Sequence, residues 1–137
     1  LPIFFAHKTD LFFGIVHVGW RGLVNGIISK SIKLIKNEKV SLKNIDVFIG
    51  PSIQACCFEV GNDIIDRFDA KFINRSSESK YLVNLQGIAK KKIEQEGILK
   101  KCIKVSKDCT FCQFERYFSF RREGDKSGRM FGFIGVK

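Results

Sequence analysis

Histidine is scarce in this chain, with only His7 and His17 among 137 residues. Two imidazoles are too few to build a multi-histidine copper cluster. Proline (two), methionine (one) and tryptophan (one) are equally sparse. No apolar run reaches the roughly 18 residues that a membrane-spanning helix needs, and no signal-peptide pattern is visible. Cysteine occurs five times, at 56, 57, 102, 109 and 112. An odd count with one adjacent pair makes a poor disulfide framework. Reduced thiols in the cytoplasm are the expectation. The formal charge of +10 comes from 24 Lys plus Arg against 14 Asp plus Glu. Its densest stretch has seven Lys (90, 91, 92, 100, 101, 104, 107) and two Glu (94, 96), a local +5. No RNP motif, zinc-finger spacing or arginine-rich arm accompanies it. The stretch reads as a solvated lysine surface, and nucleic acid is not the expected partner. A basic nucleic-acid-binding module stays the non-enzymatic alternative.

What is present is a folding composition: 45% hydrophobic and 28% charged residues over a length that suits one domain, 1–137. Fourteen Phe predict a core built largely on aromatic packing. The chain opens inside an apolar run, Leu1-Pro2-Ile3-Phe4-Phe5, without Met. The expectation is an N-terminally truncated domain.

Apolar runs at 2–6 and 11–18, separated by His7-Lys8-Thr9-Asp10, predict a hairpin of two mostly buried strands. Gly19 to Gly22 break the second strand. Val24, Ile27, Ile28, Ile32 and Ile35 then recur at helical spacing. Further expectations are a strand at 46–49 ending on Gly50-Pro51 and a helix over 62–72. A polar loop at 74–80, a short strand at 81–83 and a helix from the Asn84 cap to Glu96 come next. The remainder reads as a strand at 103–105, irregular chain over 108–125 and a last strand at 129–136. Strands and helices interleave, so the fold class is α/β (α+β): a layered domain with mixed β-sheets flanked by helices.

Four segments carry chemistry. The first is His17-Val18-Gly19-Trp20-Arg21-Gly22. A histidine at the end of a strand is rigidly held and suits a metal. The glycines allow a tight turn, and Arg21 offers a donor fork for phosphate or carboxylate. A core histidine beside a glycine turn is the plainer alternative. The second segment, Gly50 to Gly61, contains Cys56-Cys57-Phe58-Glu59. Its adjacent cysteines read as two small buried hydrophobes, hard to place on one tetrahedral metal. Third, Cys109-Thr110-Phe111-Cys112 is a CxxC pair. Structural zinc there would need two more ligands, which Cys56, Cys57 or Cys102 could supply, although no spacing enforces it. Fourth, Arg121, Arg122 and Arg129 lie among Ser and Gly, a composition suited to anions or to a salt-bridged loop.

In their order and spacing, these segments resemble the YfiH or laccase-domain family. The resemblance rests on His17 to Gly22, on Ile49-Gly50-Pro51-Ser52-Ile53 with Cys57-Phe58-Glu59-Val60-Gly61, and on Asp108-Cys109-Thr110. It ends with Phe118-Ser119-Phe120-Arg121-Arg122 and Gly128-Arg129. It implies a layered fold of the cytotoxic-necrotizing-factor type, with this chain as the C-terminal part of the family domain. The implied activity is that of a zinc-dependent purine nucleoside phosphorylase, with adenosine deaminase and methylthioadenosine phosphorylase activities. Purine nucleoside and phosphate would be its substrates. Family zinc is held by two His and one Cys, and His17 maps to one of them. The Cys would lie directly before Leu1, and the other His further upstream. Arg21 would bind phosphate, with Arg122 and Arg129 at the pocket edge. The family's older label implies copper-dependent polyphenol oxidation, and peptidoglycan-precursor editing is a further hydrolytic alternative.

Overall fold

β-Branched and aromatic residues alternate along the first two runs, and they pair. The structure is a computed structural model, which describes residues 1–135. Strand β1 (Pro2–His7) lies between β2 (Phe13–His17) and β3 (Ile45–Ile49), antiparallel to both. β7 (Ile103–Val105) adds parallel to β3, giving the order β2-β1-β3-β7. A second antiparallel sheet has the order β4-β6-β5, from Glu59–Gly61, Lys80–Val83 and Ile73–Arg75.

Period-two alternation decides the faces of the larger sheet. Ile3, Phe5, Ile45, Val47 and Ile49 point inward and are buried. Helices α2 (Ile27–Asn37) and α4 (Leu85–Gln95) pack against one another. Their apolar stripes, Ile28, Ile32 and Ile35 on one and Ile88, Ala89 and Ile93 on the other, complete one core with the sheet. Each fully buried aliphatic side chain contributes about 1.5–3 kcal/mol. The opposite face of the sheet carries Phe13, Ile15 and Phe48, all exposed. Phe48 stacks on Phe4 with ring centroids 6.0 Å apart.

Several expectations need correction. The core is aliphatic, not aromatic: of the fourteen Phe only Phe5, Phe58 and Phe68 are buried, because most of the others lie on the open sheet face or in loops. β2 is an edge strand with one exposed face, not a buried strand. The predicted helix over 62–72 stops after one turn, α3 (Asn62–Ile65). Asp69 takes an extended backbone, and its side chain accepts the Lys71 N–H, starting a separate 3-10 turn. The predicted polar loop at 74–80 narrows to residues 76–79, the turn of a hairpin in which β5 and β6 pair from Ile73↔Val83 to Arg75↔Tyr81. Residues 129–135 form no strand, and Val136 lies outside the described residues. The tail instead crosses the open face so closely that a Cβ on Gly132 would meet Ile15 Cδ1 at 2.8 Å. Among the described residues, no helix is long and apolar enough to cross a membrane.

Candidate functional site

The His17 turn begins where β2 ends. His17 is the last strand residue, opposite Pro2. Val18 is fully buried and donates its N–H to the Leu1 carbonyl at 2.8 Å, which anchors the strand end. Gly19 then caps α1 (Trp20–Val24), with the Leu23 N–H returning to the Gly19 carbonyl at 2.9 Å. Neither Gly19 nor Gly22 has a positive φ. A Cβ on Gly22 would rest on Ile27 Cγ2 at 3.4 Å, an ordinary contact, so neither space nor backbone conformation requires glycine there. The left-handed residue is Gly26 (φ 79), which separates α1 from α2 and ends the single helix expected there.

This turn places His17 and Arg21 on the surface together. His17 is exposed, with Nε2 lying over Gly19, and its partial burial lowers the imidazole pKa. The ring is therefore neutral at physiological pH and has a nitrogen lone pair to offer. The Arg21 guanidinium lies 4.6 Å from the Trp20 ring centroid. Trp20 is braced in turn by Phe68, 6.3 Å away. Among the described residues Arg21 enters no ion pair, so its donor fork remains open to an anion.

The two arginines expected at the pocket edge, Arg122 and Arg129, are engaged by the protein itself. Arg122, on α5 (Phe120–Glu123), donates from Nη1 to the carbonyls of Thr110 and Phe111 at 2.8 and 2.7 Å. Its Nη2 donates to the Tyr117 carbonyl at 2.7 Å, and it pairs with Glu123. Arg129 donates to the carbonyls of Ser127 and Gly128. Both act within the loop that contains them. A Cβ on Gly128 would meet the Phe118 ring at 2.7 Å, so the half-exposed ring would have to swing away to admit a side chain.

The cysteines form the second constellation. Loop 50–58 comes after β3 and loop 106–113 after β7, and the two join through a parallel bridge between Ser52 and Cys109. The Thr110 N–H donates to the Ser52 carbonyl at 3.2 Å. Gln54 Nε2 donates to the Ser106 and Asp108 carbonyls at 3.3 and 3.2 Å. Together these bonds bring the Sγ atoms of Cys56, Cys57, Cys109 and Cys112 within 4.8 Å of one another. Cys56 and Cys112 are exposed, Cys57 is half-buried and Cys109 is buried, so the adjacent pair is not two buried hydrophobes. Burial pushes the Cys56 and Cys57 thiols up. Burial acts the same way on Cys109, but N–H bonds from Gln54, Cys112 and Phe111 outweigh it and bring that thiol down to about 7. Four sulfur ligands converging in this way can hold a soft metal ion. Cys102 lies apart, buried before β7, and accepts a bond from Lys8 Nζ at 3.4 Å. Across separations of more than fifty residues the sequence offers Cys56, Cys57 and Cys102 alike as partners of the CxxC pair, and the structure brings the first two to it and leaves Cys102 apart.

Residues 1–137 match a family model described as multi-copper polyphenol oxidoreductase laccase. The chain is 34% identical over 139 residues to a purine nucleoside phosphorylase of Clostridium acetobutylicum, covering 98% of this chain and 58% of that protein. It is 31% identical over 143 residues to the purine nucleoside phosphorylase YlmD of Geobacillus stearothermophilus, covering 98% and 52%. The crystal structure of a Bacillus licheniformis hypothetical protein YfiH superposes with a TM-score of 0.81 at 29% identity, over 88% of this chain and 48% of that one. The chain spans about half the length of the curated relatives it matches. It belongs to the multi-copper polyphenol oxidoreductase laccase family, the YfiH or laccase-domain family that its motifs resemble.

Proposed function

We propose that this chain contributes one zinc ligand, His17, and one phosphate-binding residue, Arg21, to a purine nucleoside phosphorylase. Adenosine deaminase and methylthioadenosine phosphorylase activities belong to the same reading. The observation that carries it is the turn itself: a neutral, exposed imidazole and an open guanidinium four residues apart on one rigid strand-to-helix junction. The curated relatives named as purine nucleoside phosphorylases supply the substrate class, a nucleoside and phosphate.

His17 fits zinc as a single ligand, through a neutral nitrogen at the protein surface. Among the described residues no group of three donors includes His17, and on this reading its partner ligands, a Cys and a second His, are supplied from beyond them. When bound, zinc supplies a Lewis acid that polarises oxygen and acidifies water. The chain's own part is to hold and orient. Arg21 clasps phosphate with its two parallel N–H groups. The Trp20 ring, 4.6 Å from the guanidinium carbon, gives that cation an aromatic face to rest on. A copper oxidase is not favoured. His7 and His17 sit at opposite ends of the β1–β2 hairpin, about 16 Å apart at roughly 3.3 Å per strand residue, too far to share a copper cluster. Five cysteines with no disulfide among them suit a reducing compartment, and the reading includes a cytoplasmic location.

The test is phosphate-dependent release of hypoxanthine from inosine by the full-length protein. His17→Ala should abolish release and lower bound zinc while the melting temperature stays within a few degrees. Arg21→Ala should raise the phosphate KM roughly 10- to 100-fold, the loss of a charge-assisted contact of about 1.5–3 kcal/mol. Unchanged metal content and unchanged turnover in His17→Ala would sink the assignment.

A further inference from the structure

We infer that Cys56, Cys57, Cys109 and Cys112 hold a structural zinc ion that locks the loop after β3 to the loop after β7. This centre is separate from the His17 site and does not depend on the reading of that site.

Geometry is the first argument. The Sγ separations are 3.5 Å for Cys56–Cys57, 3.7 Å for Cys56–Cys112 and 3.3 Å for Cys57–Cys112. All four sulfurs lie within 4.8 Å of one another. A tetrahedron of sulfurs about 2.3 Å from a central zinc has edges of about 3.8 Å. The cluster therefore already approximates a four-thiolate shell. Four protein ligands leave no open position, so the centre is structural, not catalytic. The donor chemistry points to the same ion, because tetrahedral S₄ sites select zinc or iron.

The backbone removes the apparent obstacle of adjacent ligands. In a strand, Cys56 and Cys57 would point to opposite faces. Here they lie in a tight turn, with the Cys57 and Phe58 N–H groups both donating to the Gln54 carbonyl at 3.0 and 2.9 Å. That turn swings both sulfurs to one side. On the facing loop, the Gln54 N–H donates to Cys109 Sγ at 3.4 Å, and the N–H groups of Phe111 and Cys112 face the same sulfur. Such N–H donors stabilise a thiolate without competing for its metal. Outside the shell, Arg122 grips the carbonyls of Thr110 and Phe111, between the two ligands of the CxxC turn. Bound Zn²⁺ replaces the thiol protons, which leave to solvent. The same ion would then hold in place the segment that carries Arg122.

The experiment is to purify the full-length protein under reducing conditions, measure metals by mass spectrometry, and titrate the metal-free protein with Co²⁺. The wild type should retain zinc and give the intense sulfur-to-cobalt charge-transfer band of a tetrahedral thiolate site. Cys112→Ser should remove one equivalent of zinc per chain and most of that band. Cys102→Ser, outside the cluster, should leave both unchanged. His17→Ala should leave the thiolate spectrum intact, which separates this centre from any zinc at His17. Cys112 is exposed, so serine there is tolerated by packing, and a band that persists in His17→Ala but is lost in Cys112→Ser assigns the thiolates to this cluster. Three results would overturn the proposal: no cobalt–thiolate band in fully reduced wild type, a Cys57–Cys112 disulfide in freshly purified protein, or iron in place of zinc.

Discussion

Replacing Arg122 with alanine separates two roles for this residue. If its guanidinium is a clamp, the loss appears in stability; if it binds substrate phosphate, the loss appears in activity alone. The structure places it in the first role. Three carbonyls, those of Thr110, Phe111 and Tyr117, accept from it within 2.8 Å, and the side chain is only 21% exposed. A hydrogen bond to a charged group is worth about 1.5–3 kcal/mol net, and water would recover part of this in a half-open loop. Arg122→Ala should therefore reduce unfolding free energy by about 2–4 kcal/mol. At about 4 °C per kcal/mol for a domain of this size, the midpoint should fall by roughly 8–16 °C. Arg122→Lys, a single ammonium without the planar fork, should recover a third of this or less. The assay is thermal unfolding followed by circular dichroism, with urea unfolding as a second axis to confirm an unchanged m value. A wild-type midpoint in Arg122→Ala, with phosphate KM raised, would refute the clamp and return Arg122 to the substrate site.

A helix cap and an ion pair give two further outcomes. Asn84 caps α4 by accepting the Gly87 N–H at 2.8 Å, so Asn84→Ala should cost about 1 kcal/mol and lower the melting midpoint by a few degrees; no change would show the cap to be replaceable by water. The ion pair with Arg122 holds the Glu123 carboxyl below the usual carboxylate range. A depressed folded-state pKa gives stability that is present above the unfolded value, near 4.5, and is lost as pH falls through the folded one. Wild type should then lose more stability than Glu123→Gln between about pH 5 and about pH 3. Parallel acid profiles for the two proteins would show that the pair contributes nothing.

Much of the framework is legible in the sequence. The hairpin is legible because β-branched and aromatic residues flank a polar turn, and α4 because Asn84 starts it and Gly97, at φ 107, lies just past its end. The His17 turn is legible for the same reason: a strand period gives way to a helical one across a pair of glycines. Errors arise where a local signal meets a competing one. The spacing of Ile64, Ile65, Phe68 and Phe72 imitates a helix stripe, but Asp69 diverts its own backbone, and the pairing of β5 with β6 claims residues 73–83. Gly alternation near the C-terminus imitates a strand, yet Gly132 uses its missing side chain to approach Phe4 and Ile15. Phenylalanine count predicts an aromatic core because composition cannot say which face of a sheet a residue occupies.

The cysteine cluster shows why a site can be encoded without being visible. Its halves lie 52 to 56 positions apart, from Cys57 to Cys109 and from Cys56 to Cys112, and no motif spans such a gap. The link is topological. β3 and β7 are parallel neighbours, with Ile49 opposite Val105, so the chain leaves both strands at the same end of the sheet. Loops that extend from parallel neighbours emerge side by side, which is why open α/β sheets place their sites at the carboxyl ends of strands. Gly50-Pro51 stops β3 and Ser106 succeeds β7, so each loop begins within two residues of the last paired position. Each then reaches its cysteines within eight residues, and the Ser52–Cys109 bridge fixes their relative register. Predicting the cluster requires knowing that these two strands are neighbours and parallel. Once that pairing exists, the four sulfurs meet as a consequence of strand ends and loop lengths.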